Sequence, residues 1–207
     1  MAKEDAKETV RLEAFSDGVF AIAITLLIIE IHVPEVEGGS RALAQALLDM
    51  WPSYFAFALS FVTILIMWMN HHAMFLWLRH PDGAIFVGNG VLLLTITALP
   101  FTTALLGDYL GHDGGRAAAA VYAAHLVAIN LGYTWLWRAM TSRRAKVCPD
   151  LDDAEISLTN RYLAFSLVAY LAAFALAFWS AAASVSLTFL LAAFWTWNAH
   201  RRLKVSA

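Results

Sequence analysis

The chain of 207 residues contains one cysteine, Cys148. A single thiol excludes an internal disulfide and any cysteine-rich metal site. Charge is scarce: Asp, Glu, Lys and Arg make up 14% of the residues, against about a quarter in soluble domains. The net charge of −2 offers no basic footprint for nucleic acid. There is no P-loop, GxSxG or HExxH signature, and no TVGYG-type filter. No two apolar stretches carry the matched Gly/Pro breaks of many transporters. The opening "MAKEDAKETV" lacks an apolar core, so it is not expected to be a cleavable signal peptide.

Apolar residues are abundant. They make up 60% of the chain, and the mean hydropathy is +0.63. Long apolar runs recur from end to end, which predicts an all-α integral membrane protein. Six spans are expected, at 11–33, 52–78, 84–106, 116–137, 161–179 and 184–199, within one domain covering 1–207. Pro34 ends the first, "RALAQALLDM" reads as a short interfacial helix, and Pro100 predicts a kink in the third. Of the 14 Lys and Arg, only Arg41 and Arg116 fall on the side opposite the N-terminus. The bias of basic residues towards the cytoplasm therefore places both termini inside a cell membrane. On the outer segments, Glu30, Glu35, Glu37, Asp49, Asp108 and Asp113 would either concentrate cations at a mouth or simply be solvated.

The first span, "RLEAFSDGVFAIAITLLIIEI", is unusual. Only twelve residues separate Asp17 from Glu30. At helical rise they cover roughly 18 Å, well short of a hydrocarbon core of about 30 Å. A lipid-facing helix avoids ionisable groups, so this helix is expected inside a bundle. Gly18 and Ala21 permit close helix approach. Successive residues turn by about 100°, which puts Ile22, Leu26 and Ile29 on one aliphatic stripe. Thr25 flanks it, while Ser16 and Asp17 point elsewhere. Packing in a core or against lipid is the plainer role for such a triplet.

A second polar cluster, "MWMNHHAMF", ends the second span. Trp68, Asn70, His71 and His72 sit at about the depth of Ser16 and Asp17. Polar groups at that depth need partners, so a network joining the first two helices is expected. Adjacent histidines project about 100° apart and share one metal ion poorly. His125, near Asn130 and Tyr133, is expected to be a packed, hydrogen-bonded histidine. The acids of "PDLDDAEIS" suit a helix N-terminus, and that stretch lacks the central glycine of an EF-hand loop.

Arg11-x-x-x-Phe15-Ser16-Asp17 resembles the R-x-x-x-F-S-D signature that opens the first helix of the transmembrane protein 175 family. "MWMNHHAMF" resembles that family's second-helix segment, and the resemblance extends over nearly the whole chain. These are potassium channels of endosomes and lysosomes, with shorter prokaryotic members of one repeat. The resemblance implies a homotetramer in membrane lipid, with four first helices lining a pore and no re-entrant loop. It implies an apolar constriction at Ile22, followed outward by Leu26 and Ile29, with Thr25 as a flanking polar ring. Arg11, Ser16 and Asp17, with Phe15 among them, would form a structural network with Trp68, Asn70, His71 and His72. The implied ligands are permeating K⁺ and other monovalent cations, with no cofactor, no metal site and no catalytic residue. Competing readings are a proton-coupled secondary transporter using Asp17 and His71, a membrane enzyme with a histidine-bound metal, and a membrane protein without transport.

Overall fold

Apolar runs punctuated by Pro, Gly and Asp become nine α-helices among the described residues. They are α1 (Ala2–Leu26), α2 (Gly39–Asp49), α3 (Trp51–Phe75), α4 (Gly83–Thr97), α5 (Leu99–Tyr109), α6 (Gly115–Thr141), α7 (Arg144–Val147), α8 (Asp153–Ala177) and α9 (Ala181–Val205). The structure is a computed structural model that describes the backbone of residues 2–205 and the side chains of residues 8–197. The basic side chains of Lys3, Lys7, Arg201, Arg202 and Lys204 lie outside the described ones. So do the side chains of the last two residues of the expected 184–199 span.

Four stretches are long and apolar enough to cross a bilayer: Trp51–Phe75, Gly83–Tyr109, Gly115–Thr141 and Asp153–Ala177. A shorter apolar helix covers Ala181–Trp197. Helix α1 is not among them, because Arg11, Glu13 and Asp17 interrupt its apolar character. It also stops at Leu26, well before the expected end at 33. Tight turns follow, with Ile29 N–H donating to Leu26 O (3.1 Å) and Ile31 N–H to Ile28 O (3.2 Å). A run of β-branched residues ahead of Pro34 disfavours continued helix there. The third expected span is broken at Ala98, and Pro100 sits in the first turn of α5. Proline is tolerated in that position because the early N–H groups have no partner within the helix.

Helix α6 is the hub and packs against α4, α5, α8 and α9. Its crossing with α4 interlocks glycine and leucine in both directions. A Cβ on Gly88 would stand 3.3 Å from Leu136 Cα, and one on Gly132 would stand 3.3 Å from Leu92 Cα. The absent side chains admit the partner helix backbone, which adds dispersion contacts where lipid supplies no hydrophobic drive. A buried polar chain ties α3, α5 and α6: the Thr103 hydroxyl donates to Ser60 Oγ (2.7 Å), and Ser60 Oγ shares a hydrogen bond with Tyr122 Oη (2.9 Å). His125 is bonded to Thr102 Oγ1 and Thr95 O, both at 2.8 Å. It is a packed histidine, as its position suggested.

At one end of the bundle the connections are pinned by charge. Asp82 caps α4 by accepting from Ala84 N and Ile85 N, and Asp152 caps α8 by accepting from Glu155 N. Arg79 Nε meets Asp150 Oδ2 (3.1 Å), Arg79 N–H donates to Val147 O (2.8 Å), and Arg144 pairs with Asp153. Cys148 lies beneath this strapping, and burial pushes its thiol up to about 11.

Candidate functional site

Helix α1 packs against α3 and α4 through Leu12, Ser16, Phe20 and Ala23, and Leu27 just past its end continues the line, all buried. Their spacing of three and four residues draws one stripe along the helix. The other face is bare within the protomer. Phe15, Ile22, Leu26 and Ile29 are all exposed, Ile22 at 60% and Ile29 at 67%. Thr25 lies beside them, its hydroxyl donating to Ala21 O and Ile22 O. Ile22 and Leu26 therefore share a helical face, whereas Ile29 extends it from the following turn.

Two layers of polar contacts hold α1 in this orientation. The exposed layer joins it to α3: Trp68 Nε1–H donates to Asp17 Oδ1 (2.8 Å), and His72 Nδ1 meets Glu13 Oε1 (2.9 Å). The Trp68 and His72 rings stack 6.2 Å apart. The buried layer joins α1, α3 and α4. The Ser16 hydroxyl donates to Leu12 O (2.8 Å) and accepts from Asn89 Nδ2 (2.9 Å). Asn89 Oδ1 in turn accepts from His71 Nε2 (2.9 Å). The direction of this chain is dictated, because Leu12 O can only accept. It follows that Nε2 of His71 carries a proton and donates it to Asn89 Oδ1. Nδ1 has no hydrogen-bond partner among the described residues, and the ring lies between Phe20 and Phe75.

The structure thus brings together Ser16, Asp17, Trp68, His71 and His72. It adds two residues that sequence reasoning missed. Asn89 bridges Ser16 and His71, and Glu13 pairs with His72. Asn89 left a weak signal, a single amide in the apolar stretch "GAIFVGNGVLLLTIT". Three of the residues expected in the network stand apart from it in the protomer. Arg11 and Phe15 are exposed on the same side of α1 as Ile22, since residues seven or eleven apart nearly eclipse on a helix. Asn70 faces away from α1, towards a cavity between α3, α6, α8 and α9. The His71–His72 pair is split between the two layers and does not converge. No cluster of three or more His, Cys, Asp or Glu suited to a metal occurs among the described residues.

These features define an all-α, multi-pass membrane protein whose charge-bearing first helix is fastened by polar contacts and presents an apolar face outward. The family model described as endosomal/lysosomal potassium channel TMEM175 matches residues 11–100. A potassium channel of Chamaesiphon minutus is 45% identical over 191 residues, covering 91% of this chain and 93% of that one. The crystal structure of a lysosomal potassium-selective channel TMEM175 homolog from Chamaesiphon minutus superposes with a TM-score of 0.84 at 43% identity. That match covers 93% of this chain and 98% of the other. The endosomal/lysosomal proton channel TMEM175 of Gallus gallus is 39% identical over 106 residues, 48% of this chain and 21% of that longer one. The chain belongs to the TMEM175 family, as a prokaryotic-type member. This is a family of channels and not of enzymes.

Proposed function

We propose that this chain is one subunit of a homotetrameric, potassium-permeable cation channel of the cell membrane. Each subunit contributes six spans, with both termini cytoplasmic, and four copies of α1 surround the pore. The observation that carries this reading is the two-sidedness of α1. Its inner stripe is buried, its outer stripe is aliphatic and exposed, and its Glu13 and Asp17 make lipid an expensive neighbour. An axis shared by four such helices gives the exposed face a place away from lipid. The naming of the Chamaesiphon minutus relative as a potassium channel supports the choice of ion.

In this reading Ile22 forms the narrowest ring, with Leu26 one turn outward and Ile29 at the outer end. Aliphatic rings cannot replace a hydration shell with oxygens, so they gate by narrowing and dewetting. Thr25 adds hydroxyls beside the constriction. Ser16, Asp17, Trp68, His71 and His72, with Asn89 and Glu13, hold α1 and do not contact ions. No cofactor takes part. Arg11 and Phe15 continue the outer face towards the cytoplasm, where they meet neighbouring copies.

The decisive experiment is a reversal potential in a planar bilayer under K⁺, Na⁺, Cl⁻ and pH gradients. A potential that follows the K⁺ gradient supports the proposal. One that follows pH alone favours proton conduction, the activity named for the vertebrate relatives. Saturable, proton-coupled flux would favour a transporter using Asp17 and His71. Against a direct relay, the hydrogen bonds of Asp17 and His71 run to Trp68 and Asn89 respectively.

A further inference from the structure

Helix α3 has two working faces. One holds α1 through Trp68, His71 and His72. The other lines a crevice of about 140 Å³ shared with α6, α8 and α9. Along α8 the lining runs from Glu155, in the first turn, to Tyr170, a rise of about 22 Å for a helix. Asn70 and Ala73 of α3, both exposed, belong to the lining, so the crevice is open to its surroundings. Deeper in, four helices each supply a buried polar side chain: Thr63, Asn130, Ser166 and Thr188. Thr63 and Ser166 stand at the middle of 25-residue helices. That is the depth at which polar groups are expensive in a bilayer unless they are paired.

The pairing is lopsided. Asn130 Nδ2 donates to Leu163 O (3.3 Å), which fixes the orientation of the amide because a carbonyl oxygen can only accept. Its Oδ1 is therefore a buried acceptor, and it has no hydrogen-bond partner among the described residues. The hydroxyls of Thr63, Tyr133 and Thr188 donate to the backbone oxygens of Leu59, Met67 and Ser184. Each hydroxyl has one proton, so towards the crevice these groups act only as acceptors. A space with acceptors and too few donors selects an occupant that donates. An acyl chain donates nothing. Water donates twice, and the volume has room for several molecules. We propose that the crevice is a water-filled vestibule, which carries solvent from the Glu155 end of the bundle to the middle of the protomer. Water at its deep end donates to Asn130 Oδ1. The vestibule is separate from the exposed face of α1 and complete within one protomer. In the proposed topology it opens towards the cytoplasm, but its hydration does not depend on that orientation.

The test is X-ray radiolysis footprinting of the full-length protein in lipid nanodiscs. Hydroxyl radicals form from water and oxidise the methionines beside it, which mass spectrometry reads. No ion flux is involved, so the result is independent of the channel proposal. Three methionines buried in the fold serve as mutual controls. Met74 and Met67 line the crevice, one near its Glu155 end and one deeper, whereas Met140 is packed elsewhere on α6. Met67 and Met74 should oxidise at least about tenfold faster than Met140 if water stands beside them. Asn130→Leu removes the acceptor and should slow Met67 at least about threefold while leaving Met74 unchanged. Ser166→Leu, which fills the crevice from α8 and spares the Asn130 bond, should do the same. Elution as a single species checks that each variant folds. Three results overturn the inference. Met67 as slow as Met140 would mean a crevice that is dry or filled by lipid. All three methionines equally fast would mean that the bundle opens as a whole. Met67 oxidation unchanged in both variants would mean that water does not reach the deep end by this route.

Discussion

Phe20 and Ile22 stand two positions apart on one helix, yet Phe20 is 2% exposed and Ile22 is 60%. That difference comes from the 100° step of the helix and from Ser16, which pins the opposite face to Asn89. In the proposed tetramer, Ile22→Asn places polar amides where the pore must dewet. Leak conductance should rise and discrimination between K⁺ and Na⁺ should fall in bilayer recordings. Unchanged conductance would move the constriction to another residue. Cys148 gives a second test at this scale. Its buried thiol is pushed up to about 11, so at pH 8 only roughly a thousandth is thiolate, the reactive form. Iodoacetamide should leave the folded protein unmodified at pH 8, and one adduct per chain should appear by mass spectrometry after denaturation. Ready labelling of the folded protein would mean that the strapping over Cys148 opens in solution.

Helices α4 and α6 meet through the reciprocal pairs Gly88–Leu136 and Gly132–Leu92. Alanine at position 132 is a balanced case. It gains helix propensity, worth up to about 1 kcal/mol, but its methyl would stand 3.3 Å from a backbone atom. Valine removes the ambiguity, because it is β-branched and overfills the crossing. Gly132→Val should lower stability by about 1–3 kcal/mol, seen as a lower unfolding midpoint in detergent without loss of helical signal at low temperature. An unchanged midpoint would show that the crossing can relax. On α1, the exposed contacts to Trp68 and His72 and the buried chain through Asn89 act on different sides of the helix. Together they set its rotation, and that rotation decides which residues face outward.

For the whole molecule, the proposed tetramer gives the exposed aliphatic face and its neighbours Arg11 and Phe15 the role of contacts between copies. Asp17 touches α3 and lies off that face. We therefore predict that Asp17→Ala lowers the fraction of tetramer on native gels or by light scattering more than it alters permeation in the channels that form. An intact tetramer with altered selectivity would instead place Asp17 in the pore.

The membrane class, the apolar stretches behind α3, α4–α5, α6 and α8, and the need to pair the polar groups of the first two helices were all legible in the sequence. They follow from composition, from helical periodicity and from the cost of unpaired polar groups in lipid. The stripe containing Ile22 and Leu26 was legible for the same reason. The partners were not. Asn89 is 73 residues from Ser16 and 18 from His71, and no local pattern announces a bridge between three helices. The end of α1 at Leu26 was also hidden, because a β-branched run before a proline extends an apolar pattern while it weakens the helix. Sequence determined that α1 has a polar side and an aliphatic side, since side-chain chemistry and a fixed angular step suffice for that. Only the tertiary structure decided which side is buried. Burial depends on what α3 and α4 present at the same depth, and packing alone brings those surfaces together.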